Sequence, residues 1–357
     1  MQTARISTTF GVALAMIFSG GCGGASRSVA PLFVPPQRMV MVGSPIKFNA
    51  TEQVNNAQRI NGHTYFCGSF GSRPGVIADG VTVIVPNSVV GIHLVTPYFV
   101  AGRKLYGYGQ AVTMHQQPEG YMYDMDTYGE GSTRFGMPSG VSPDGSKVGM
   151  TLQTSFWPPV AQVVTILDTK SNKPVKVAAP SKLMPTLLAL ADTGAGVVSF
   201  EKPAGSGQVV YRFQANGALD VMPLSGTATF PVPVPKAMAP DGTVVGSVSG
   251  ASSSHAAMWP AGSTTPILLG LPSPSDSSAA TSITSDHVVL GTLKTHSILW
   301  SDAVAKPNEV VDLNQILPKP KGSTIRSIYS LQSNPVSFIA QLAMPKNGTA
   351  FQVYRAK

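Results

Sequence analysis

The sequence predicts an all-β fold assembled from repeated units of mostly four short antiparallel strands, and three observations predict it. A glycine-tipped apolar strand recurs, as Lys147-Val148-Gly149, Val244-Val245-Gly246 and Val289-Leu290-Gly291. The small residue at its tip recurs too, at Gly68, Gly107, Gly149, Ser199, Gly246, Gly291 and Ala340, in steps of 39, 42, 50, 47, 45 and 49 residues. Composition agrees: 36 Gly and 30 Pro among 357 residues, with only 12% charged, suit many strands joined by turns rather than helices. Self-similarity at a period of 40–50 residues is that of a propeller blade. The expected fold is therefore a seven-bladed β-propeller, with six blades and a disordered first unit as the alternative.

The N-terminus is read as an export signal. Arg5 is the lone basic residue ahead of a short apolar run, Phe10 to Phe18, which is too short to span a bilayer. Ser19-Gly20-Gly21-Cys22 follows and resembles the lipobox of bacterial lipoproteins, although Ser19 stands where an aliphatic residue is preferred. The resemblance implies cleavage before Cys22, lipidation of that thiol and a membrane anchor in the bacterial cell envelope; a soluble secreted protein is the alternative. The expected organisation is a signal peptide over 1–21, a flexible tether over 22–37 and the propeller over 38–357. Cys67, within Tyr65-Phe66-Cys67, is expected to be a buried, inert thiol.

Each tip is followed by a second apolar strand, as in Gly75 to Ala78, Gly120 to Tyr123, Gln208 to Phe213, His255 to Trp259 and His296 to Trp300. Some units show a third, such as Thr265 to Leu269 and Glu309 to Leu313. These runs are four to seven residues long, rich in β-branched and aromatic side chains and bounded by Gly, Pro, Asn and Ser. The last unit has room for only three strands. A strand from Arg38 to Val42 or from Ile46 to Phe48 is expected to complete it, because ring closure removes exposed sheet edges.

The later units carry a more specific likeness. Ala237-Met238-Ala239-Pro240-Asp241-Gly242-Thr243-Val244-Val245-Gly246, followed by His255-Ala256-Ala257-Met258-Trp259, resembles the extracellular HAF repeat, with Ala257 in place of its Phe. In the next unit His296 and Trp300 are kept, and Asp312-Leu313-Asn314 is similar to the run that ends such arrays. The resemblance is good over 232–357 and fair over 139–231. It implies a secreted propeller-like array and brings no catalytic residues with it.

The net charge of +8 comes from 25 basic residues scattered along the chain. Nucleic-acid recognition would need them gathered on one face among aromatics, so no nucleic-acid partner is expected. No Gly-x-Ser-x-Gly, His-Glu-x-x-His or phosphate-cradling loop is present, and no catalytic residues, cofactor or metal are assigned. His255 and His296 occupy equivalent repeat positions and are read as structural. The unit that differs most runs from Tyr98 to Glu130 and holds six of the ten tyrosines. Within it Tyr121, Tyr123, Asp124, Asp126 and Tyr128 form the candidate ligand site, since rings can stack on a sugar or peptide while carboxylates hold hydroxyls or amines. Asp124-Met125-Asp126 lacks the remaining ligands of a calcium loop. The expected function is a monomeric, lipid-anchored module that binds or scaffolds a protein or glycan. The alternative is an envelope polysaccharide or peptide hydrolase or lyase working in a central pocket.

Overall fold

The computed structural model describes residues 39–356, apart from 49–51, 72, 86–87, 90–91, 112–117, 133–135, 153–154, 157–158, 161–162, 181–184, 203–206, 272–276, 295, 333–334 and 346–347. The proposed signal peptide and Cys22 lie outside the described residues. Seven blades follow one another along the chain. Blade one is Gln53–Ile60, His63–Phe70, Arg73–Ala78 and Val81–Ile84. Its complete sheet removes the six-blade alternative.

Blade two is Ile92–Ala101, Lys104–Ala111, Pro118–Asp124 and Glu130–Ser132, with Ser88–Val89 added beside its first strand. Blade three is Met137–Val141, Lys147–Leu152, Val163–Asp168 and Pro174–Lys176. Blade four has three regular strands, Pro185–Leu190, Gly196–Glu201 and Gln208–Phe213. The segment after them continues the sheet through single bonds, Asp220 N–H to the Arg212 carbonyl and Leu224 N–H to that of Val210. Blade five is Val232–Met238, Val244–Ser249, Ser254–Trp259 and Ile267–Leu268; blade six is Ser278–Ile283, Val289–Leu293, His296–Trp300 and Val310–Asp312.

Blade seven has Thr324–Gln332, Ser337–Met344 and Gly348–Ala356, and Met39–Phe48 pairs antiparallel with the last of these as the outermost strand. The two short stretches expected to supply that strand belong to one element, interrupted by a register shift between Val42 and Ile46. Phe48 packs edge-on against Phe66 and Phe351, at 5.3 Å between ring centroids in both cases.

The core is distributed between blades. Seven hydrophobic clusters each join two neighbours: Cys67 and Tyr65 meet Leu105 and Tyr121 between blades one and two, and Phe66 and Ala57 meet Ile339 and Phe351 between blades one and seven. Large third-strand residues lock three of these interfaces. Trp259 Nε1 donates to the Ser225 carbonyl at 2.8 Å, Trp300 Nε1 to that of Gly270 at 2.9 Å, and the Tyr354 hydroxyl to that of Pro318 at 2.7 Å. Each bond gives a buried indole or phenol its acceptor in the segment leaving the preceding blade.

The recurring glycine has a steric cause. Every first strand carries a bulge near its middle, leaving Asn55, Tyr98, Ser139, Leu188, Lys236, Thr281 and Arg326 as the extra residues. In four blades the bulge thrusts a carbonyl towards the second strand. A Cβ on Gly68, Gly107, Gly246 or Gly291 would lie 1.9, 2.3, 2.2 or 2.5 Å from the carbonyl oxygen of Gln53, Thr96, Val234 or Ala279. No side chain fits there. In blade three the constraint comes from the next blade, where the Leu187 side chain would sit 2.0 Å from a Cβ on Gly149.

The Pro-Asp-Gly runs turn the first strand into the second. Gly145 and Gly242 take φ of +72° and +95° and donate their N–H groups to Ser142 and Ala239, both at 3.0 Å. His287 takes the corresponding place in blade six, with φ of +60°. The Asp-Leu-Asn run makes a single helical turn, Leu313–Ile316, capped by the Asp312 side chain. Asn314 Oδ1 then accepts the N–H of Ile325, which seats the entry to blade seven.

Candidate functional site: the axial passage

First strands of six blades line one cavity of about 250 Å³. Its wall includes Gln58, Ser139, Leu188, Lys236, Thr281 and Leu331, and among the described residues no Asp, Glu, His, Cys or aromatic residue contributes to it. Four of these, Ser139, Leu188, Lys236 and Thr281, are the bulged residues, and at Lys236 and Thr281 the irregularity that demands glycine in the second strand also places a residue in the passage wall.

Most polar wall groups are already engaged. Gln58 donates from Nε2 to the Val100 carbonyl at 3.2 Å and accepts the Val100 N–H at 2.7 Å, linking blades one and two. Ser139 donates to the Gly149 carbonyl and Thr281 to that of Leu290. Lys236 is exposed, and it makes no ion pair or hydrogen bond among the described residues.

A second cavity, of about 390 Å³, shares Pro143, Met238, Ile283 and Leu331 with the first and continues it past the ends of the first strands. Here the turns gather acid: Asp144, Asp192, Asp241 and Asp286 occupy the first-to-second strand turns of four successive blades. Asp144 and Asp192 border the cavity, and the Asp144 N–H donates to Asp192 Oδ1 at 2.9 Å. Burial, reinforced by the neighbouring Asp144 carboxylate, pushes Asp192 up to about 6. Burial also opposes ionisation of Asp144. The Ser142 hydroxyl and Ser146 N–H, at 2.6 and 2.8 Å from its Oδ1, outweigh that and hold it below the usual range. Asp241 accepts from Thr243 and lies 2.8 Å from His287 Nε2.

The tyrosine-rich unit is divided by the fold. Tyr121 and Tyr123 are 0% and 5% exposed within the cluster between blades one and two, so neither ring meets solvent. They alternate on one strand and share its inward face. Asp124 ends that strand and accepts the N–H groups of Asp126 and Thr127, closing a turn. Asp126 lies beyond the strand, so the two carboxylates do not share a strand face; it pairs with Arg103, Nη2 to Oδ1 at 2.6 Å. Tyr128 is 69% exposed in that turn, at φ of +56°. The five candidate residues thus occupy a core interface and an adjacent turn. None of them borders the axial passage.

The repeat histidines bond their own blades: His255 Nε2 lies 2.9 Å from the Leu269 carbonyl and His296 Nδ1 2.9 Å from Asp312 Oδ2. Among the described residues no group of three His, Cys, Asp or Glu could hold a metal ion. Cys67 is fully buried, and burial pushes its thiol far up, leaving no thiolate nucleophile. No helix among the described residues is long and apolar enough to cross a membrane.

Sequence reasoning missed Lys236, Leu188 and Asp192. For Asp192 a signal was present, since aspartate recurs in the first turn of four consecutive units. Lys236 and Leu188 share only a bulge, and a bulge has no residue signature.

No family model matches the chain, and no curated protein matches it. Solved structures do. The β-propeller domain of the trilobed protease from Pyrococcus furiosus, described as having an open velcro topology, aligns with a TM-score of 0.51 at 11% identity, covering 84% of this chain and 97% of that one. YCF48 bound to D1 peptide aligns with a TM-score of 0.50 at 13% identity, covering 91% and 98%. An acylaminoacyl peptidase in complex with a chloromethyl ketone aligns with a TM-score of 0.50 at 11% identity, and the match covers 86% of this chain but 51% of the peptidase. At such identities the likeness is one of fold.

Proposed function

We propose that this chain is an exported, lipid-anchored propeller of the bacterial cell envelope, of the HAF-repeat kind, that binds or scaffolds a protein or glycan partner through its axial passage. The observation that carries the reading is the wall of the first cavity, which among the described residues is built of small, apolar and amide groups with one unpaired cation and no carboxylate. Such a wall can hold a ligand without placing a carboxylate beside it.

One observation favours the hydrolase alternative: Asp144 and Asp192 form a carboxylate pair with affinities for protons pushed apart, at the mouth of the second cavity. Against it, Asp144 is tied to its own turn by Ser142 and Ser146. Glycan and peptide arrays probed with the wild type and with Leu188→Trp, which fills the passage, test the reading. Retention lost on filling supports it. Turnover of wall polymers that Asp192→Asn abolishes would replace it with the alternative.

A further inference from the structure

The two cavities form one passage whose ends differ in charge. Lys236 stands in the wall of the first, and Asp144 and Asp192 border the second. Lys236 precedes the turn that begins at Ala239 by three positions, which at about 3.3 Å per residue places its Cα on the order of 10 Å from the level of the acidic turns. A peptide of about three or four residues in extended form covers that distance.

The walls suit such an occupant. First strands lie at the inner end of their sheets in blades one and three to seven, so their main-chain groups on the passage side have no neighbouring strand. Unpaired strand edges of this kind are what an extended peptide recognises. Sugar recognition by stacking lacks its platform, because among the described residues no aromatic side chain borders either cavity.

We propose that the axial passage holds an extended peptide with two free ends, its carboxylate at Lys236 and its ammonium at the Asp144–Asp192 mouth. The inference rests on the passage being the binding site and adds the ligand class and its direction. The acidic mouth alone would be only a set of turns. The unpaired lysine at the other end of the same slim passage makes it one half of a complementary pair.

The test is affinity selection by mass spectrometry, using the purified full chain and an equimolar pool of unlabelled three- to six-residue peptides with free ends. Pools of the same peptides with acetylated N-termini or amidated C-termini run beside it. The expected result is retention of free-ended peptides and a loss of about tenfold on blocking either end. Lys236→Ala should remove discrimination against amidation and leave that against acetylation, while Asp192→Asn should do the reverse. Lys236 is exposed, so its variant should fold; Lys236→Glu, which should reverse the preference for a free carboxylate, guards against a merely structural effect.

Equal retention of free and blocked peptides, or variants that shift both discriminations together, overturns the proposal. No peptide retention, with a glycan bound and lost on Leu188→Trp, overturns the peptide and leaves the binding passage standing. No ligand of either class removes both.

Discussion

Replacing Asp192 by Asn isolates the effect of the carboxylate pair on stability. The Asp192 carboxyl ordinarily titrates at 3.8 and is pushed up to about 6 in the fold, chiefly by burial. Between these values the folded chain holds a proton that the unfolded chain releases. The stability that this proton brings is complete below about 3.8 and is lost as pH rises through 6. Above pH 6 the charge remains in an unfavourable site, a cost of at most about 3 kcal/mol at 1.36 kcal/mol per pH unit.

Solvent reaches this half-buried side chain, and the opposite displacement of Asp144 offsets part of the effect. About 1–2 kcal/mol should survive. Asn keeps the oxygen that accepts the Asp144 N–H. In urea unfolding at pH 7.5, Asp192→Asn should therefore be more stable than wild type by about 1–2 kcal/mol, and the difference should shrink to about a third of that at pH 4.5. A less stable variant at pH 7.5, or one equally displaced at both pH values, would refute the reasoning.

Four further outcomes follow from the geometry. Gly246→Ala should cost about 2–3 kcal/mol in urea unfolding because its Cβ meets the Val234 carbonyl; Gly131→Ala, which meets only the end of the Met122 side chain at 3.5 Å, should be tolerated. Arg212, 4% exposed, donates to the carbonyls of Gly242, Trp259, Pro260 and Ser263, so Arg212→Ala should lose about 3 kcal/mol or more by the same measurement. Deleting residues 39–48 bares the edge of Gly348–Ala356 and removes Phe48 from its aromatic cluster; aggregation on gel filtration is expected, and a monodisperse, fully cooperative product would argue against a closing role for that strand. Metabolic labelling with an alkyne fatty acid should mark the wild type and not Cys22→Ser, and equal labelling of the two would remove the lipid anchor.

The blades were legible in the sequence because their spacing is enforced sterically. Wherever a first-strand carbonyl meets the second strand, only glycine fits, and Gly68, Gly107, Gly246 and Gly291 mark the repeat for that reason. The mark blurs at Ser199 and Ala340, where the bulge is displaced by one or two residues relative to the tip. Trp259 and Trp300 were legible as strand ends, but their bonds to the preceding blade were not, since the acceptors are main-chain carbonyls more than 29 residues away. The passage was not legible. Its chemistry sits at bulges occupied by residues as different as Ser139, Leu188, Lys236 and Thr281. The tyrosine cluster misled in the opposite way: aromatic density drew attention to Tyr121 and Tyr123, and those rings fill an interface between blades.

Hydrogen exchange with and without a bound array ligand tests the axial passage most directly. Protection is expected to concentrate on the first strands, at 139–143, 187–190, 236–238 and 281–283, with little change in the outer strands Val81–Ile84, Pro174–Lys176 and Ile267–Leu268. Protection confined to the outer strands, or to the turn around Tyr128, would contradict it.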